Sequence, residues 1–260
     1  MTAADGHRRW VSFVAVGLFL LAWELVCRFE LVNPVLLSSP TRIASAALRI
    51  ASSGALASDA LFTAEVFFVS LTVAVVAGLV LGFALGYSTL AFDALNPFIF
   101  TANSLPKIVL MPLIVLWLGI GFAANVFLGA LMGSFPIIMS VYAGVRSLDR
   151  DYILLARSYR ATRWHTLRAI VLPGITPFAL AGLRIAVSYA MVGTLIAEFF
   201  ASSEGLGYRM ILYMSNFRVD EFFVCICVVA GLTLACSSVV HRLERRVEAW
   251  RPSAFQVPGM

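Results

Sequence analysis

From Ile108 to Val145 the chain runs for 38 residues without a charged side chain. As a single helix at about 1.5 Å per residue this stretch would be about 57 Å long, nearly twice the ~30 Å hydrocarbon core of a bilayer. It must turn, and Gly119-Ile120-Gly121 marks the place. A composition of 61% hydrophobic and 13% charged residues, with a mean hydropathy of +0.92, excludes a soluble protein.

The same reading places six spans, at about 11–27, 62–88, 96–118, 123–145, 173–200 and 221–241. The fold expected is an all-α membrane protein of about six transmembrane helices, with residues 1–260 as a single membrane domain. The first span is retained, because no small-residue cleavage site follows it. Between the first two spans, turn signals surround a possible helix from Thr41 to Ile50 at the membrane surface. In the second span Gly78, Gly82 and Gly86 recur every fourth residue, a face on which another helix can approach closely.

Several chemistries are absent. The lone lysine, Lys107, is followed by Ile108, so no phosphate-cradling Gly-rich loop with its Lys-Ser/Thr is present. Nucleotide-driven work would fall to another chain. Cys27, Cys225, Cys227 and Cys236 lie in or beside apolar runs without metal-ligand spacing, and read as buried free thiols. His7, His165 and His241 form no HExxH motif and no GxSxG occurs, so neither a metal site, a cofactor nor a catalytic residue is expected.

The net charge of +5 reflects topology rather than nucleic-acid binding. Twelve arginines fall on the side that holds both termini and the fourth-to-fifth connection, against five on the other. Cytoplasmic segments are enriched in Lys and Arg, so both termini are expected in the cytoplasm. The connection at about 147–172 is too polar to span, yet rich in helix formers. Asp149 and Asp151 suit a helix start, Leu155 and Tyr159 form an i, i+4 pair, and Trp164, Leu167 and Val171 continue an apolar stripe toward Pro173, which ends the pattern. Such a helix either docks on a protein partner or lies in the headgroups.

The stretch from Leu154 to Pro173 resembles the cytoplasmic "EAA" loop of permease subunits of bacterial ABC importers. Pro97 to Gly121, Phe135-Pro136, Ala181 to Ile185 and Ala197-Glu198 through Gly205-Leu206-Gly207 are similar to the nitrate, sulfonate and taurine branch of that family. The resemblance implies a type I importer permease fold in the bacterial inner membrane. It also implies a second permease subunit, most simply a copy of this chain, and separate ATPase subunits that carry ATP and Mg. A periplasmic or lipid-anchored binding protein would deliver the solute. The coupling role would fall on Asp151, Leu154, Leu155, Ala156, Arg157, Ser158, Tyr159, Arg160, Ala161 and Arg163. Leu154 stands where the family has Glu, Leu155 where it has Ala, and Arg160 where it has Gly, so the usual acidic contact does not transfer.

Three of the charges within predicted spans stand out, because ionised groups there face a cavity or a partner. Lys107, between Pro106 and Pro112, is either a midplane site for an anionic solute or a lysine satisfied by backbone. Arg184 and Glu198 lie 14 residues apart on one helix, roughly 21 Å, so each needs a separate partner. Arg184 is expected near the cytoplasmic end of the translocation pathway. Glu198 is expected at the outer mouth, as a gate or as the anchor of the turn from Ser202 to Tyr208. The rival from another class, an ion-driven secondary transporter, would show two similar halves, and none is evident.

Overall fold

The computed structural model describes residues 3–248 apart from residues 34 and 53. The side chains of residues 3–9, 11–13, Arg150, Ile153, Arg157, Arg163 and Glu248 also lie outside the description, as does Arg251. Every regular element among the described residues is helical. In chain order these are α1 (Ala3–Arg28), α2 (Pro40–Ala51), α3 (Ala55–Tyr87), α4 (Thr89–Ser104), a 3-10 turn (Lys107–Leu110), α5 (Met111–Leu118) and α6 (Phe122–Arg146). There follow α7 (Arg150–Ser158), α8 (Arg163–Thr166), a π turn (Leu167–Val171), α9 (Leu172–Ala201), α10 (Leu206–Ser215) and α11 (Val219–Glu248).

Four stretches are long and apolar enough to cross a membrane: Ala55–Tyr87, Phe122–Arg146, Trp164–Ala201 and Val219–Val247. A bent pair, Thr89–Ser104 with Lys107–Leu118, turns by 96° and is apolar enough for either a broken span or a re-entrant loop. The 26-residue α1, with Leu18, Leu21 and Leu25 exposed along it, carries the first expected span.

Several helices extend past the bounds read from sequence, and two of the differences turn on a proline. At the expected third span the helix begins at Thr89 and is interrupted between Ser104 and Lys107. Pro106 has no N–H to continue a helix and pushes Leu105 into an extended conformation, φ −70° and ψ 136°. Pro173, by contrast, breaks nothing. The π turn directly before it shifts the local bonding, with Leu172 N donating to Leu167 O, and carries α8 into α9 as one helix from Trp164 to Ala201. Nor are the thiols all buried: Cys225 is, Cys27 and Cys236 are half-buried, and Cys227 is exposed on α11.

The core is the packing of α3, α6 and α9. Lipid tails are as apolar as Leu, so helices in a bilayer gain little by burying greasy surface and depend on close packing. Small residues supply it on all three helices. Gly78, Gly82 and Gly86 of α3 lie against Ile137, Val141 and Val145 of α6. Gly133 of α6 faces Ala74 and Ala190, and Gly193 of α9 lies against the backbone of Gly129. A Cβ on Gly82 would stand 2.8 Å from the Ile138 carbonyl oxygen, part of a backbone that cannot step aside.

Gly82→Ala is therefore expected to destabilise the protein by about 1–3 kcal/mol through overpacking. Gly231→Ala, with nothing within 4 Å of the added carbon, should be neutral or stabilising. Thermal unfolding of the purified variants checks both.

Candidate functional site

Chemistry-bearing side chains gather in three places: the end of the bundle at α10, the break before α5, and the opposite end at α7. At the α10 end the chain leaves α9 at Ser202 and turns back into α10. The first N–H groups of a helix have no partner within it, and here side chains of α3 and α9 accept three at the start of α10. Gly205 N donates to Asp59 Oδ1 (3.3 Å), Leu206 N to Thr63 Oγ1 (2.8 Å) and Gly207 N to Glu198 Oε2 (2.7 Å). Thr63 in turn donates to Glu198 Oε2 at 3.0 Å. Glycine is needed at 205, where φ is +100° and a Cβ would fall 2.6 Å from the Glu198 carboxyl carbon. Glu198 is fully buried, and the turn it bonds is the one that follows it in sequence.

Arg209 of α10 closes the clamp with a 2.7 Å bond from Nε to Asp59 Oδ2. That hydrogen bond raises the guanidinium above its already high pKa. Around it, Arg42 of α2 pairs with Asp220 (3.0 Å), and Arg49 (3.6 Å) and Arg218 (2.8 Å) pair with Glu221. Asp220 and Glu221 also occupy the first turn of α11, where the helix dipole favours negative charge. Four of the five arginines counted on this side for topology thus make ion pairs. Glu24, the acid within the first span, accepts Thr41 N (3.1 Å) and Thr41 Oγ1 (2.7 Å) at the start of α2.

Lys107 stands just past the Leu105–Pro106 break. Its Nζ donates to Asn103 O at 2.9 Å and lies 4.5 Å from the centroid of Phe135, near the middle of α6. Backbone and ring thus satisfy part of the charge. Arg184 pairs with Glu244 of α11 at 3.3 Å, and Glu244 also lies 3.5 Å from His241 Nδ1.

At the α7 end, Asp149 Oδ1 accepts Asp151 N at 2.9 Å and opens the short helix. Tyr152, Leu154, Leu155 and Tyr159 are exposed, Asp151 and Ser158 are exposed beside them, and Ala156 turns inward. Arg160 takes a left-handed conformation, φ +54°, while Ala161 N reaches back to Ala156 O at 2.9 Å. That is the helix-ending position at which glycine is favoured. Trp164 is exposed, but Leu167 and Val171 of the same stripe pack into the core. The side chains of Arg157 and Arg163 lie outside the described residues.

Sequence reasoning singled out Glu198 but missed Asp59, Thr63, Asp220, Glu221 and Glu244, which supply its neighbours' bonds and those of Arg184. The usable signal was Asp59 and Thr63 one turn apart on the face of an apolar helix. Thr63→Val keeps shape while removing a donor and an acceptor, so it should cost about 1–3 kcal/mol and expose the segment from Ser202 to Arg218 to protease. Limited proteolysis of the membrane-embedded protein reads this directly.

The sequence matches, over residues 74–249, the family described as "Binding-protein-dependent transport system inner membrane component". It is 28% identical to the taurine transport system permease protein TauC of Escherichia coli, over 92% of this chain and 89% of that one. It is also 28% identical to the formylaminopyrimidine transport permease protein ThiX of Halalkalibacterium halodurans, over 90% and 93%. The putative aliphatic sulfonates transport permease protein SsuC of Bacillus subtilis is 25% identical, over 95% and 91%. Among solved structures the fold is similar to a chain of the MetNI methionine ABC transporter in inward-facing conformations. The TM-score is 0.64 at 18% identity, covering 75% of this chain and 97% of that one. The architecture is therefore that of a type I ABC importer permease, and the chain belongs to the family of binding-protein-dependent transport system inner membrane components.

Proposed function

We propose that this chain forms half of the translocation pathway of an ATP-driven importer for a small anionic solute, a sulfonate, taurine, nitrate or a similar molecule. A second permease, in the simplest case another copy, completes the pathway. Separate ATPase subunits bind ATP and Mg beneath it, and a periplasmic or lipid-anchored protein delivers the solute. The chain crosses the inner membrane several times with both termini in the cytoplasm.

The observation that carries the coupling is the continuity of the helix from Trp164 to Ala201. Its 38 residues extend roughly 57 Å, from the exposed α7–α8 loop to the carboxylate that holds α10. A push on the loop by a closing ATPase reaches the far end through one rigid element. The exposed Leu154, Leu155 and Tyr159 seat on the motor, with Asp151, Ala156, Ser158 and Ala161 shaping the helix and Arg157, Arg160 and Arg163 meeting acidic residues. In the broken span, Lys107 at the start of a half-helix offers positive charge to an anion at midplane depth. Arg184 ties the middle of α9 to α11, and Glu198 fastens its far end to α10. An ion-driven carrier is not favoured, because family membership implies delivery by a binding protein.

Replacing Arg157 and Arg160 together with Ala should abolish uptake while ATP hydrolysis by the assembled complex continues. Unchanged uptake with unchanged assembly would overturn the coupling role. Arg160→Gly, which relieves the left-handed strain, separates conformation from charge: if it transports normally, the charge at 160 is dispensable. Lys107→Met is expected to weaken solute uptake at least severalfold in a transport assay, and retained affinity and rate would remove Lys107 from the pathway.

A further inference from the structure

One level of the α3–α6–α9 core carries polar side chains with nothing to bond. Asn125 of α6, and Thr194 and Glu198 of α9, are fully buried. Among the described residues, Asn125 Nδ2 and Oδ1, Thr194 Oγ1 and Glu198 Oε1 have no hydrogen-bond partner. A helical threonine ordinarily returns its hydroxyl to a carbonyl one turn back, and Thr194 does not.

These groups share one depth. Gly121 N donates to Ala201 O at 2.7 Å, and Gly129 packs against Thr194, so α6 and α9 run antiparallel in a defined register. Asn125 lies one turn from Gly121 and one from Gly129, and this register sets it at the level of Thr194 and Glu198. Thr194 and Glu198, at i and i+4, face the same way. Gly129 makes room for the hydroxyls themselves: Thr194 Oγ1 and Ser70 Oγ both lie within 3 Å of the point its Cβ would occupy.

We infer that this level is an internal hydration site, in which one or two ordered waters are bonded by Asn125, Thr194 and Glu198 Oε1. Buried waters make about three hydrogen bonds each, to polar groups otherwise left unsatisfied. Four unpartnered atoms match that demand. Water fits the donor set better than a cation does, since the Asn125 amide nitrogen needs an acceptor. Asp59, the nearest other acid to the α10 clamp, is already bound by Arg209. The hydration site extends the clamp inward: the carboxylate that holds α10 by Oε2 is tied to α6 through water on Oε1.

The test uses the full chain in lipid nanodiscs, with Thr194→Val, Asn125→Leu and the double variant. Each single change removes only groups that have no protein partner, yet each is expected to lower Tm. The double variant should lose clearly less than the sum, because the shared water is lost once. A rise in Tm for Thr194→Val, or additive losses, overturns the proposal. Should Asn125→Leu fail to fold, X-ray radiolytic footprinting of the unaltered protein decides. Radicals formed from bound water should oxidise buried Met191, one turn before Thr194, and no oxidation there counts against the site. A Tm that rises with sodium but not choline at fixed ionic strength, and loses that response in Glu198→Gln, would replace water with a cation.

Discussion

The close approach of α3, α6 and α9 is the constraint on which the rest of this structure depends. A bilayer offers the chain no water for its backbone and little reward for hiding apolar side chains, so helices hold together where their backbones nearly touch. Glycines on all three helices permit that contact, with Gly193 of α9 lying against the Gly129 backbone and Gly82 of α3 against the Ile138 carbonyl. Such tight packing has a polar consequence. Any hydroxyl, amide or carboxylate caught at the junction is cut off from solvent and must be paired there. Thr63, Ser70 and one oxygen of Glu198 meet that requirement with helix termini and carbonyls.

The charged residues obey the same economy at the ends of the bundle. Arg42, Arg49, Arg209 and Arg218 fasten α2 and α10 to α3 and α11. Ion pairs between exposed side chains contribute little, about 0–1 kcal/mol. The Asp59–Arg209 contact differs because the carboxylate side chain is only 6% exposed, and removing one partner would strand the other. Stabilisation of the α10 turn therefore comes chiefly from its buried acceptors, and the surrounding arginines orient the elements.

Much of the fold was legible because composition alone decides which segments can enter a membrane. The turn at Gly119–Gly121 and the bounds of α6 agree closely with the sequence reading. The glycine stripe on α3 was legible too, but its counterpart on α6 passed unnoticed, although Gly129 and Gly133 have the same spacing. The third span was opaque for a physical reason. Three prolines fall within it, and Pro97 sits inside α4 without breaking it while Pro106 breaks the span. Which proline interrupts a helix depends on what satisfies the freed carbonyls, and that is a tertiary property. The partners of Glu198 were illegible for the same reason, since Thr63 lies 135 residues away.

Arg160 brings the local and global levels together. A left-handed conformation at a residue with a Cβ costs about 1 kcal/mol, and the loops this segment resembles place glycine there. Here the cost is carried by an arginine, with the bonds Tyr159 N to Leu155 O and Ala161 N to Ala156 O holding the end of α7 in place. Strain persists where the surroundings over-determine the geometry. The surroundings in this case include the anchoring of Leu148 against Gly174 at the base of α9. The result is a short helix closed by a cap, ahead of an unbroken helix to the α10 clamp. A glycine at 160 would relax the turn and widen the range of angles it can take.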